Sequence, residues 1–215
     1  MTHNIPYLFV LIISFWFGSF PADAFSQHQE DPGAQAFEHA QMGEYAEALK
    51  LYEIAITIND KNANYFYYKG VCHFELQQYA EAIDAFSQAI RIHPRRADYY
   101  SNRGKACLRV EQFEEAINDF SRAIQLDPLQ AEFYYLRATA YSGDKQYGKA
   151  LNDYDIAIGK DSRVGEYFLG RGECYLALGQ EAQACEDFHQ AVNKHAFNAK
   201  FQYETHCLKN LSPKP

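Results

Sequence analysis

The stretch 97-ADYYSNRGKACLRVEQFEEAINDFSRAIQLDP-128 decides the fold, because the chain on either side repeats its pattern with a period of about 34 residues. Ala82, Ala116, Ala150 and Ala184 stand one period apart, as do Phe86, Phe120, Tyr154 and Phe188, and Ala89, Ala123, Ala157 and Ala191. Self-similarity at such a period marks a solenoid, in which each unit buries its apolar face against its neighbours.

Within the stretch the apolar and small residues fall at helical spacing twice. Tyr100, Gly104, Cys107 and Leu108 define a first helix from Asp98 to Arg109, and Ala116, Phe120, Ala123 and Ile124 a second from Phe113 to Leu126. The polar turn Val110-Glu111-Gln112 separates them. Asp127-Pro128 ends the second helix, since proline disfavours the helical region for the residue before it. Gly70, Gly104, Ala138 and Gly172 fall where the two helices face each other, so the axes can approach while Phe86, Phe120, Tyr154 and Phe188 fill the space beside them. A second stripe on the second helices, Ile83 and Ile90, Ile117 and Ile124, Leu151 and Ile158, Cys185 and Val192, packs the first helix of the next unit. The prediction is an all-α array without separable domains.

Five units are expected at 29–62, 63–96, 97–130, 131–164 and 165–198, followed by a capping helix at 199–211 that covers the last apolar stripe. Residues 25–31, FSQHQED, are polar and unpatterned and are expected as a disordered tail. Before them, Leu8 to Phe17 is an apolar run broken only by Ser14, followed by Ala22-Asp23-Ala24, a small-x-small cleavage pattern. Residues 1–24 are therefore expected to be a signal peptide, and the protein exported, periplasmic or secreted. The n-region carries no Lys or Arg, so an uncleaved N-terminal anchor is the alternative; the run falls short of the ~20 residues of a spanning helix.

The columns Tyr100, Gly104, Ala116, Phe120, Ala123 and Pro128, repeated once per period, resemble the tetratricopeptide repeat. With the leader, the resemblance is to the exported bacterial type. It implies an α-solenoid of helix-turn-helix repeats in a right-handed superhelix, whose concave surface binds peptides or partner proteins. The first unit lacks the glycine and proline (Ala36, Asp60) and the fifth ends at Ala196 without proline, as terminal repeats of such arrays do. By analogy with the family, the partner-binding groove includes Tyr67, Val71 and Phe74 from the second repeat, Ser101, Asn102, Lys105 and Arg109 from the third, and Tyr135 and Thr139 from the fourth. Leu169, Glu173 and Leu176 continue it in the fifth. Some family members hold a terminal carboxylate with groove lysines and asparagines. Here Tyr67, Val71 and Glu75 do not fit that pattern, and no such clamp is expected.

Composition narrows the function. A net charge of −8 and a pI near 5.5, with no basic run, argue against nucleic acid. No glycine-rich phosphate loop, nucleophile elbow or HExxH motif is present, so neither an enzyme nor a cofactor is expected. The anticipated partner is a protein or peptide; the alternative is a structural subunit of an envelope or secretion assembly, binding through its ends or convex face.

Two side-chain pairings follow from spacing. Arg103, Arg137 and Arg171 each have an aspartate in the same later column, Asp119, Asp153 and Asp187, and an antiparallel helix pair places each couple level. Cys185 and Cys207 are equidistant in sequence from Ala196 in the turn, which makes a disulfide feasible, unless Cys207 points too far toward the concave side. His189 and His206 lie at the same end, but no ligand-spacing signature accompanies them and no metal is expected. His73 reads as a core histidine.

Overall fold

The computed structural model describes residues 31–208. The expected signal peptide at 1–24, residues 25–30 of the expected tail at 25–31 and residues 209–211 of the capping helix lie outside the described residues.

Among the described residues, ten helices form five antiparallel pairs: α1 (Pro32–Gln41) with α2 (Tyr45–Ile58), α3 (Ala63–Glu75) with α4 (Tyr79–Ile92), α5 (Ala97–Arg109) with α6 (Phe113–Leu126), α7 (Ala131–Gly143) with α8 (Tyr147–Lys160), and α9 (Gly165–Ala177) with α10 (Glu181–Asn193). A short α11 (Ala199–Tyr203) follows. Each helix packs on the one before and the one after it, and each first helix also touches the first helix of the next pair. The repeated alanines are fully buried, and Phe86, Phe120, Tyr154 and Phe188 are buried beside them.

Close approach depends on the missing side chains at the glycine column. A β-carbon at Gly104 would come within 2.9 Å of the Phe120 ring, and one at Gly172 within 2.8 Å of the Phe188 ring. The contact that glycine permits is thus with the phenyl ring of the partner helix. The second stripe seals successive pairs: Ile83 joins the Cys107 and Phe120 cluster, Ile158 and Val192 pack around Phe168, and Ile90 packs with Tyr99.

Each pair closes through one left-handed residue. Gly43, Gln77, Glu111, Lys145 and Gly179 occupy the same column, all with φ between 59 and 80°. The amide that follows each donates to a carbonyl in the last turn of the first helix, as from Gln112 to Cys107 at 2.9 Å and from Gln146 to Tyr141 at 2.8 Å, which satisfies end-of-helix carbonyls.

Proline is not what ends the second helices. His93 and Asp127, which precede prolines, have φ/ψ of −136/84° and −142/92°; Asn59 and Asp161, which do not, have −144/90° and −145/97°. At three of these four turns a side chain fixes the conformation. Asn59 Oδ1 accepts from the Lys61 amide, Asp127 Oδ1 from Leu129 and Asp161 Oδ1 from Arg163.

The cap departs from the plain helix expected over 199–211. After α11 the chain winds as a π-helical turn, Glu204–Leu208. Wider winding turns later side chains back relative to an α-helix, and in this register Cys207 meets Cys185 with a Cα separation of 5.6 Å.

Candidate functional site

The first helices set their exposed faces side by side, and the residues expected in the groove link up from one repeat to the next. Asn102 donates to the Tyr67 hydroxyl at 3.0 Å and to the Asp98 carbonyl at 2.9 Å, joining α5 to α3. Lys105 Nζ reaches Glu132 Oε1 at 2.7 Å, joining α5 to α7. The Tyr135 and Tyr167 rings lie 5.0 Å apart, joining α7 to α9. Between α5 and α7 a cavity of about 240 Å³ is walled by Asp98, Asn102, Lys105 and Glu132, with buried Ser101 at its floor.

These side chains divide into packed and free. Tyr67 lies 4.9 Å from the Tyr99 ring and 5.8 Å from Phe86, and burial pushes its phenol up to about 12. Val71 and Phe74 share its cluster with Ile83. Thr139 donates to the Tyr135 carbonyl at 3.0 Å and lies 3.5 Å from the Tyr154 hydroxyl. Arg109 is exposed and stacks over the Tyr79 ring at 4.8 Å, with Phe74 edge-on to the same ring at 5.4 Å. Tyr79 is the groove-edge residue that the sequence reading misses. The recurrence of Tyr45, Tyr79, Phe113 and Tyr147 once per period is the signal that could have found it.

The electrostatics of the far half are acidic. Burial raises the Tyr135 phenol, and the carboxylates of Glu166, Glu173 and Glu132 raise it further. Glu173 is an exposed residue, yet desolvation alone holds its carboxyl above the usual value of 4.5. Keeping the charge there costs stability.

On the other flank of the first helices the arginines form a ladder. Arg103 pairs bidentately with Asp119 (2.8 and 2.7 Å), Arg137 with Asp153 (2.7 and 2.8 Å) and Arg171 with Asp187 (2.8 and 2.7 Å). The aspartates are nearly buried, with side chains 4 to 6% exposed. Each guanidinium also donates back to the preceding pair: Arg103 to Ser87 Oγ at 3.0 Å, Arg137 to Ser121 Oγ at 3.1 Å, and Arg171 to Asp155 Oδ1 at 2.6 Å. The arginine therefore clamps two repeats together. Lys69 keeps only the backward contact, to Glu53 at 3.2 Å, because Ala85 stands where the aspartate would be. His73 is half-buried on this flank, its Nδ1 2.7 Å from Gln78 Oε1, and is not a core residue. The cysteine that replaces it in the next repeat, Cys107, is smaller and fully packed.

Tetratricopeptide-repeat family profiles match residues 34–97, 97–128 and 166–197, together more than half of the chain. The chain belongs to the tetratricopeptide-repeat family. Solved structures agree on the fold. A MamA structure superposes with a TM-score of 0.71 at 21% identity, over 77% of this chain and 96% of that one. MamA 41-end from Desulfovibrio magneticus RS-1 gives 0.74 at 20% identity, over 76% and 93%. YrrB, titled a TPR protein with an unusual peptide-binding site, gives 0.73 at 20%, over 85% and 96%. No curated protein matches the sequence.

The C-terminal end of this TPR array is held covalently. Cys185 on α10 and Cys207 in the π turn form a disulfide, which removes both thiolates from any metal set with His189 and His206. Among the described residues no group of three His, Cys, Asp or Glu is placed to hold a metal, and no helix is long and apolar enough to cross a membrane. Cys72, Cys107 and Cys174 are free and buried, and burial pushes the thiols of Cys72 and Cys107 up to about 11, which leaves them unreactive.

Proposed function

We propose that the protein is a non-enzymatic interaction scaffold, exported from the cytoplasm, that takes a peptide or a segment of a partner protein in its concave groove. The observation that carries this reading is the unbroken run of groove contacts, Tyr67 to Asn102, Lys105 to Glu132 and Tyr135 to Tyr167, across four repeats. Side chains held in this way lose little further freedom when a partner docks. Glu173, a desolvated carboxylate at the end of the run, favours a partner that brings a positive charge there. Export is supported by the apolar leader with its small-x-small site and by the Cys185–Cys207 disulfide, a bond that persists in oxidising compartments.

Tyr67 and Tyr135 also pack the array, so a test of the groove spares them. Replacing Lys105, Arg109 and Glu173 together with alanine is expected to abolish partner capture while the melting temperature is held or raised. Capture that survives the triple change sinks the groove reading.

A second reading has an observation of its own. Phe197 is 89% exposed and Phe201 61% exposed at the cap, which favours a structural subunit of an envelope or secretion assembly docked end-on. Serine at both positions would dissolve that assembly and leave groove binding intact.

A further inference from the structure

We infer that the protein carries a second binding site, for the guanidinium of an arginine presented by a partner protein, in the cavity where the second repeat breaks the arginine ladder. The molecule supplies its own comparison. In the third to fifth repeats one set of columns binds a guanidinium: a carboxylate on the second helix of the same repeat, an acceptor on the second helix of the preceding one, and an aromatic ring one turn earlier on the arginine's own helix. The rings of Tyr100, Tyr134 and Phe168 lie 5.9, 5.9 and 5.6 Å from the guanidinium carbons of Arg103, Arg137 and Arg171.

The second repeat keeps the ring and the backward acceptor and lacks the arginine and its aspartate. Phe66 stands in the ring column and Glu53 in the acceptor column, but Lys69 replaces the arginine and Ala85 the aspartate. The Lys69 ammonium turns to Glu53. Between α3 and α4 this leaves an open cavity of about 370 Å³, lined by Phe66, Lys69 and Ala85 and, from α4, by Glu81 and Asp84. It lies on the flank of α3 turned away from Tyr67, Val71 and Phe74, so it is separate from the groove.

The chemistry of the walls selects the ligand. Three carboxylates, Glu53, Glu81 and Asp84, line the cavity with the single ammonium of Lys69 and the His73 ring, so the cavity favours a cation. A guanidinium suits it better than a second ammonium. Its flat face stacks on Phe66 as Arg171 does on Phe168, its fork reaches two carboxylates, and its weaker hydration lowers the cost of entry.

The test uses the full chain, 15N-labelled, titrated with N-acetyl-arginine N-methylamide and with its neutral citrulline counterpart. The arginine compound is expected to shift the amides of Lys69, Asp84 and Ala85 saturably, and the citrulline compound to leave them in place. K69R/A85D, which completes the ladder and fills the cavity, is expected to lose the response with its melting temperature held or raised. E81Q/D84N, which leaves the cavity open, is expected to lose it as well. Equal shifts with the citrulline compound, no saturable shift with the arginine compound, or a response retained in either folded variant would overturn the inference.

Discussion

Arg103 donates from Nε and Nη2 to the two oxygens of Asp119, at 2.8 and 2.7 Å, and from Nη1 to Ser87 of the preceding repeat at 3.0 Å. One side chain thus ties together three helices, α4, α5 and α6. Removing Asp119 alone strands a guanidinium that is three-quarters enclosed. Asp119→Ala is expected to cost about 1 to 3 kcal/mol in chemical denaturation. Arg103→Met with Asp119→Leu is expected to cost less than the sum of the single changes, since no charge is left unpaired. Additive costs would show that the pair does not interact.

The left-handed turn column yields a stability gain. A non-glycine residue in this conformation costs about 1 to 2 kcal/mol, and glycine gives back part of that through its freer unfolded chain. Glu111→Gly and Lys145→Gly are each expected to stabilise by roughly 0.5 to 1 kcal/mol. Gly43→Ala and Gly179→Ala, at φ 80 and 73°, are expected to act in the opposite direction. Thermal melts of the four variants check the sign at each position.

Glu173 predicts a pH dependence. Its folded carboxyl titrates above the ordinary 4.5 because partial desolvation disfavours the charge. Its contribution to stability is therefore full below that value and is lost as pH rises through the folded pKa. Glu173→Gln is expected to raise the melting temperature at neutral pH and to leave it unchanged in acid. A drop at neutral pH would mean that the carboxylate has a stabilising partner.

The disulfide links cysteines 22 apart in sequence. Reduction, or Cys185→Ser with Cys207→Ser, is expected to destabilise the cap by about 3 kcal/mol on a chain-entropy estimate. Non-reducing peptide mapping checks the pairing itself. Finding Cys207 as a free thiol would remove it.

The helix pairs were legible because their packing columns recur: Ala116, Phe120 and Ala123 need fixed volumes, and volume is written in residue type. The Arg103 and Asp119 pairing was legible for the same reason, since a charged column changes in step with its partner. The backward half of the clamp was not, because Ser87 and Ser121 are ordinary exposed-type residues and only the superposition of repeats brings them to the arginine. Pro128 is the stronger stop signal in the sequence, but it is the Asp127 side chain that makes the turn, as Asn59 and Asp161 do without proline. Groove residues were legible as positions only. Whether Tyr67 is free or packed depends on Tyr99 and Phe86, which come from other helices. The π turn that swings Cys207 onto Cys185 has no sequence signal at all.

The groove is the centre of the account, and site-specific photocrosslinking in the native compartment tests it most directly. A crosslinking residue placed at Lys105 or Arg109 is expected to capture a discrete partner, and one placed at Gln125 or Lys160, on the second helices, is expected not to. Capture from the second-helix positions or from Phe197 at the cap, with none from Lys105 or Arg109, would contradict a groove-binding scaffold.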